Sequence, residues 1–335
     1  MRADGVLSSR YLRSCASTND ISFPMYLIRG ASEMTTDNPQ VPWTDEQWAR
    51  VNKAVQEEAS RARIAATFLP LLGPLPGDTD FVRKELISPN AIAIQDRDVI
   101  QLATLQVRVT VRGAQMADPE MTSVLALFRR AANVLARLED AVVFRGLGQD
   151  VAYNAAFPGQ NRVAPPIDVG PAFPNRVWEI TGGQVSPGLW RNLPAQQVVS
   201  IPWLPPRLDL VGAIAGAIGR LEEQGHFGPF AVVLDQNLFL VAQTPTALLV
   251  LPQDRILPFL GGGPLLRSST LDVAVGVGSG VVVALGGEPV ELVIATDVCV
   301  QFLQVTADPN FVFRVCEKMA LRIKESEAII PLRGP

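Results

Sequence analysis

The chain has 335 residues, 48% hydrophobic and 19% charged, which is enough apolar material for one large or two ordinary domains and too much for a disordered chain. Lys and Arg number 29 against 33 Asp and Glu, giving a net charge of −4 and a pI near 5.2, which argues against a basic nucleic-acid binder. The single histidine, His226, excludes metal sites and catalytic triads that need two imidazoles.

Residues 1–40 carry scattered arginines (Arg2, Arg10, Arg13, Arg29) and no apolar period. They read as a disordered arm or as sequence upstream of a start at Met34, with an Arg-rich targeting peptide as the alternative. The first regular element opens at Thr44-Asp45-Glu46-Gln47, a capping box with acids in the first turn. A helical period follows through Trp48, Val51, Val55, Ala59, Ala62 and Ala66, stopping before Pro70. From Leu105 the period changes to two. Leu105, Val107, Val109 and Val111 alternate with Gln106, Arg108, Thr110 and Arg112, which predicts a strand that forms a long hairpin with residues 80–100. A two-stranded ribbon is marginal alone, so it needs another part of the fold or another subunit to lie against.

Asp118-Pro119 reads as the N-cap and first position of the strongest helix, which runs from Val124 to Phe144 and closes at Gly146. Residues 154–206 hold ten of the 27 prolines and three of the five tryptophans (Trp178, Trp190, Trp203), predicting an extended excursion pinned by aromatics. A helix over Leu208–Glu223, a strand Phe230–Leu234 and a helix capped by Asp235 come next. From Leu271 to Val315 the chain reads as strands, with a turn at Gly286-Gly287. The run from Val273 to Leu285 is too short and too glycine-broken to span a membrane.

The inventory of chemistry is sparse. His226 sits at a helix end with no nucleophile motif beside it. Gly276, Gly278 and Gly280 spell G-x-G-x-G among valines, which does not make a phosphate cradle. Glu139-Asp140 and Glu325/Glu327 read as solvated or interface acids, since neighbouring acids on a helix do not face one another. Cys15, Cys299 and Cys316 are odd in number and form no CxxC. This pattern fits a reducing compartment, with Cys299 and Cys316 as small core residues, and the chain reads as soluble and cytosolic. No catalytic residue, metal ligand or cofactor is assigned. Only four cations are Lys, and the arginine bias suits forked contacts at interfaces.

Four blocks together resemble the encapsulins, family 1 nanocompartment shell proteins related to tailed-phage capsid proteins. These are Pro42-Trp43-Thr44-Asp45-Glu46-Gln47-Trp48, Leu138 to Gly146 with Glu139-Asp140 and Phe144, Gly228-Pro229-Phe230 to Leu234, and Glu317 to Leu332 with Glu325-Ser326-Glu327-Ala328. The resemblance implies an α+β, Hong Kong 97-type capsid fold. Its parts would be an N-terminal helix region at 41–79, an extended loop at 80–117 and a spine helix at 118–147. An axial domain at 148–292, with the 154–206 insertion, and C-terminal strands of the peripheral domain at 293–335 would complete it. It implies a homo-oligomeric icosahedral shell, T=1, that encloses a cargo enzyme held by its C-terminal targeting peptide. Dye-decolorising peroxidase and ferritin-like proteins are the family's cargo types.

The groove that docks such a peptide would fall on Val55, Ala59, Ala62, Arg63, Ala66, Phe68 and Leu69. Ala59 and Pro70 depart from the family's bulky and acidic residues there, which implies a wider groove and a different cargo tail. Residues 80–117 contain no Trp, so the flavin that some members carry on that loop is not expected. The fivefold pore loop would fall at Thr244, Pro245 and Thr246, an uncharged stretch. A phage or prophage capsid protein is the alternative within this fold. An α/β hydrolase or protease is the alternative outside it, and its base would have to be His226.

Overall fold

The structure is a computed structural model that describes residues 40–88, 93–167, 169, 174–190, 197–204, 207–245, 249–271 and 278–334. The reading of residues 1–39 as an arm therefore lies outside the described residues, as does the start of the 273–285 run.

The capping box forms as the sequence reads. Thr44 Oγ1 accepts the Gln47 N–H at 3.3 Å, and Gln47 Oε1 accepts the Thr44 N–H at 3.0 Å. The helix it opens, Asp45–Ala62, ends one turn earlier than its apolar period. Arg63 is extended, and the backbone N–H groups of Ile64 and Ala65 turn to the Asp140 carboxylate instead of continuing the helix. The entry is pinned by aromatics. Trp43 stacks on Phe313 at 4.9 Å, and Trp48 and Phe128 meet the pair edge-on.

The long helix is Thr122–Arg145, not a helix from Pro119. The Asp118 carboxylate accepts the Glu120 N–H at 3.0 Å and makes a turn, while Met121 sits at φ +55°, so the helix cannot propagate back through it. It ends at Gly146 (φ +71°), where the backbone N–H groups of Leu189 and Trp190 satisfy the Val143 and Phe144 carbonyls at 2.9 Å each.

Two five-stranded sheets organise the rest. The first runs Leu71–Leu72, Val290–Val305, Asn310–Ile323, Ala103–Arg112, Trp178–Gly182. Within it, Leu105, Val107, Val109 and Val111 are buried while Arg108, Thr110 and Arg112 are exposed, as the alternation requires. This strand does not pair with residues 80–100. It lies between Asn310–Ile323 and Trp178–Gly182, because its apolar face is long enough to join the core. The ribbon is instead two short pairs, Phe81–Arg83 with Val99–Gln101 and Leu86–Ser88 with Ala93–Gln95.

The second sheet runs Val199–Ser200, Ile329–Arg333, Ser279–Ala284, Phe230–Leu234, Leu265–Arg267. The last strand of the chain thus belongs here and not beside the other C-terminal strands. Its apolar runs are continuous because both faces are covered. Ala231, Val233, Val281, Val283 and Ile329 face the core beneath the long helix. Phe230, Val232, Leu234, Val282, Ala284 and Ile330 face a second core under the helix Leu210–Glu223.

The Pro- and Trp-rich excursion is ordered by arginine forks. Arg176 binds both Asp150 oxygens at 2.8 and 3.2 Å, Arg162 pairs with Glu179, and Trp178 leads a strand of the first sheet. Trp190 Nε1 donates to the Leu332 carbonyl at 3.2 Å, and the Arg145 guanidinium lies over its ring. Trp203, by contrast, is exposed.

Candidate functional site

The seven residues assigned to a docking face divide in two. Val55, Ala59, Phe68 and Leu69 are buried in the main core, because the apolar stripe of the first helix is the face that packs on the long helix and the sheet. Ala62, Arg63 and Ala66 keep partial exposure. After Pro70 the chain leaves the core as the edge strand Leu71–Leu72, paired parallel with Leu292 and Val293, and these two leucines are 49% and 36% exposed. The accessible part of this face is therefore the line from Ala62 to Leu72. Leu71 and Leu72 carry no signal in the sequence, because a two-residue strand has no period.

Arg63 is the hub of a buried polar joint beneath that face. Its guanidinium lies 3.7 Å from Glu139 on the long helix, 3.6 Å from Glu317 on the central strand and 3.2 Å from Asp297 on the next strand. Glu139 and Glu317 have fully buried side chains. The adjacent Asp140 is also buried, and it accepts the N–H of Ala65 at 2.8 Å and of Ile64 at 3.0 Å. Glu139 and Asp140 are thus not solvated acids. At neighbouring positions on one helix they project to two different elements, and both elements are packed against that helix.

One guanidinium among four carboxylates leaves the joint short of positive charge, and protons make up part of the difference. Burial pushes Glu139 up to about 7 against the pull of Arg63. Burial likewise pushes Asp140 up to about 7, opposed by the two backbone N–H bonds. Glu317 is raised well above the usual carboxylate range by burial and by the neighbouring Glu139. For Arg63 burial acts the other way, but the three facing carboxylates outweigh it and hold the guanidinium charged.

The remaining candidates lie elsewhere. Thr244 and Pro245 are exposed just beyond the helix Gln236–Gln243, with Thr244 Oγ1 donating to the Leu240 carbonyl at 2.7 Å. Thr246 lies outside the described residues. His226 is buried rather than at the surface; its N–H closes the preceding helix on the Leu221 carbonyl, and its imidazole stands 4.0 Å from Glu325. No helix among the described residues is long and apolar enough to cross a membrane.

A long helix laid over a five-stranded sheet, a second sheet between two cores and a short-stranded ribbon form an α+β arrangement that solved structures identify as the Hong Kong 97 capsid type. A virus-like particle protein of Pyrococcus furiosus shares the fold, with a TM-score of 0.54 at 14% identity over 86% of this chain and 99% of that one. So does the SrpI encapsulin of Synechococcus elongatus, with a TM-score of 0.50 at 10% identity over 80% and 85%. A family described as encapsulating protein for peroxidase matches residues 34–152 and 188–320, and the gap between them falls in the Pro- and Trp-rich excursion. The type 1 encapsulin shell protein EncA of Myxococcus xanthus is 25% identical over 310 residues, 88% of this chain and 94% of that one. The chain belongs to this family, and it is an encapsulin shell protein.

Proposed function

We propose that copies of this chain close into an icosahedral shell, T=1, around a cargo enzyme. The shell would be cytoplasmic and would have no catalytic role of its own. The observation that carries self-assembly is the ribbon. Val82 and Ile100 of the ribbon pack against Ala295 and Ala320 of the first sheet, while Phe81, Ile94 and Val99 stand 50–66% exposed, an apolar surface that a neighbouring copy would cover. Contacts with the Asn310–Ile323 strand and the residue after it hold the ribbon in place: Lys318 Nζ to Asp80, Arg322 to Glu85 and to the Arg83 carbonyl, and Ile87 N–H to the Lys324 carbonyl. Each subunit contact can then be modest, because closed symmetry repeats it.

The cargo would be a dye-decolorising peroxidase or a ferritin-like protein, the former favoured by the family's description. Its C-terminal targeting peptide would lie along Ala62, Arg63, Ala66, Leu71 and Leu72, the accessible line on the inner helix and edge strand. The four buried residues would set the groove floor without touching the peptide. The uncharged Thr244, Pro245 and Thr246, the first two of them exposed, would line a pore without strong ion selection.

Size-exclusion chromatography with negative-stain microscopy of the recombinant chain tests assembly. Uniform hollow particles support the reading, and a monomer or small oligomer overturns it. Co-expression with a peroxidase, with and without its last residues, then tests docking. Peroxidase that co-purifies regardless of its tail would remove the peptide groove from the reading.

A further inference from the structure

Strand register sets Cys299 directly opposite Cys316 in the central hairpin of the first sheet. Directly opposed residues of an antiparallel pair have Cα atoms about 4.5–5.5 Å apart, inside the range of about 4.4–6.8 Å that a disulfide spans. The two sulfurs are already 3.6 Å apart, both as free thiols, so closing to a bond of about 2.0 Å needs a side-chain adjustment rather than backbone movement. The pair lies on the polar side of the sheet, away from the core residues Phe313 and Val315. Gln301 Nε2 stands 3.9 Å from Cys299, and Arg314 bridges Gln301 at 2.8 Å and Gln106 at 3.0 Å. Gln106 is itself the register partner of Cys316 on the other side.

We infer that Cys299 and Cys316 form a peroxide-oxidisable dithiol, a modification site within one subunit of the shell wall that closes reversibly to a disulfide. The two thiols share one hydrogen bond in which either sulfur can donate, so a thiolate on one is held by the S–H of the other, and the nearby Arg314 charge favours it. One of the two sulfurs, as the thiolate, attacks a hydroperoxide: an S–O bond forms, the O–O bond breaks, and the departing alkoxide or hydroxide takes up the proton that this thiol lost. The other sulfur then attacks the sulfenic acid. The S–S bond forms, the S–O bond breaks, and the hydroxyl leaves as water with the second thiol's proton. Two thiols and one hydroperoxide thus give one disulfide, one alcohol or water, and one water. The inference goes beyond the shell reading and does not depend on it, since both cysteines belong to the same chain.

The test is peptide mapping of the full-length protein exposed to hydrogen peroxide and quenched with N-ethylmaleimide. Trypsin cuts after Arg267, Arg314 and Lys318, so the two cysteines fall on different peptides, 268–314 and 315–318. The expected result is a linked pair of these peptides that dithiothreitol separates, from protein that runs as a monomer on a non-reducing denaturing gel. Cys299→Ser and Cys316→Ser each remove one partner, and the variant that keeps the attacking thiol is expected to carry that cysteine on to sulfinic acid. Thiols that stay alkylatable through peroxide treatment would overturn the inference. So would a link between two chains or to Cys15, or cysteines that over-oxidise equally with and without their partner.

Discussion

Asp140, in the middle of the last turns of the long helix, accepts the backbone N–H of Ala65 at 2.8 Å and so ends the first helix from outside it. The Ile64 N–H is shared by both carboxylate oxygens, at 3.0 Å from Oδ1 and 3.1 Å from Oδ2. Asp140→Ala would leave two N–H donors without a partner, at about 1–3 kcal/mol each. Asp140→Asn keeps one acceptor oxygen and sheds the buried charge, but sets an amide NH2 where Oδ2 accepts the Ile64 N–H. The expected order of urea midpoints is therefore wild type, then Asn, with Ala clearly lowest. An Ala variant as stable as wild type would show that the segment after Arg63 finds other acceptors.

The joint also sets a pH dependence. Burial holds Glu139 and Asp140 up at about 7 in the folded chain, above their ordinary values of 4.5 and 3.8. Between those values the folded state binds more protons than the unfolded one, so these two groups make stability fall as pH rises through this window, and Glu317, also raised, acts in the same direction. Removing the titration with Glu139→Gln should flatten that slope. Unfolding midpoints measured from pH 5 to pH 8 check it, and the difference between wild type and variant isolates Glu139 from the surface carboxylates. A slope unchanged in Glu139→Gln would remove this residue as the source.

Much of the architecture is legible in the sequence because periodic burial writes itself as a pattern. The helix from Thr44, the alternation from Leu105 and the closing Gly146 are such cases. What was not legible is whatever depends on who covers a face. The strand at Leu105 shows its alternation but not its partners, and Asn310–Ile323 rather than residues 80–100 takes that place. Glu139-Asp140 looks like a solvated pair until Arg63, Ile64 and Ala65 arrive from 75 or so residues away. The apolar stripe at Val55 and Ala59 carries the same ambiguity in reverse: a period marks a packed face and leaves open whether protein or ligand packs on it. Cys299 and Cys316 read as separate core residues, since register alone brings them together.

Gly146 is required twice over. Its φ of +71° is a conformation that side chains rarely adopt, and an added Cβ would lie 2.3 Å from the Ser186 carbonyl oxygen and 2.5 Å from the Gly188 nitrogen. Gly159 offers the comparison, with φ +90° and nothing within 4 Å of its Cβ position. Gly159→Ala should cost only the backbone penalty of about 1–2 kcal/mol. Gly146→Ala must also push residues 186–188 off the helix end and with them Trp190, whose ring lies against Arg145. A shifted tryptophan emission and a much larger loss of stability than at Gly159 are the expected readouts, and equal losses at the two sites would contradict the close-approach argument.

The ribbon separates folding from assembly. Ile94 and Phe81 are 66% and 55% exposed in the single chain, so replacing either by Asp removes little that the monomer buries. If a neighbouring copy covers them, each Asp instead places a charge in an apolar contact repeated around the shell, where an unpaired buried charge is strongly unfavourable. Both variants should keep the wild-type far-ultraviolet circular dichroism while eluting as small species instead of particles. Ala in place of Ile94 should give an intermediate yield, since it loses area without adding charge. Particles that form normally with Asp at both positions would move the assembly contact off the ribbon, towards the exposed Leu249 and Phe259.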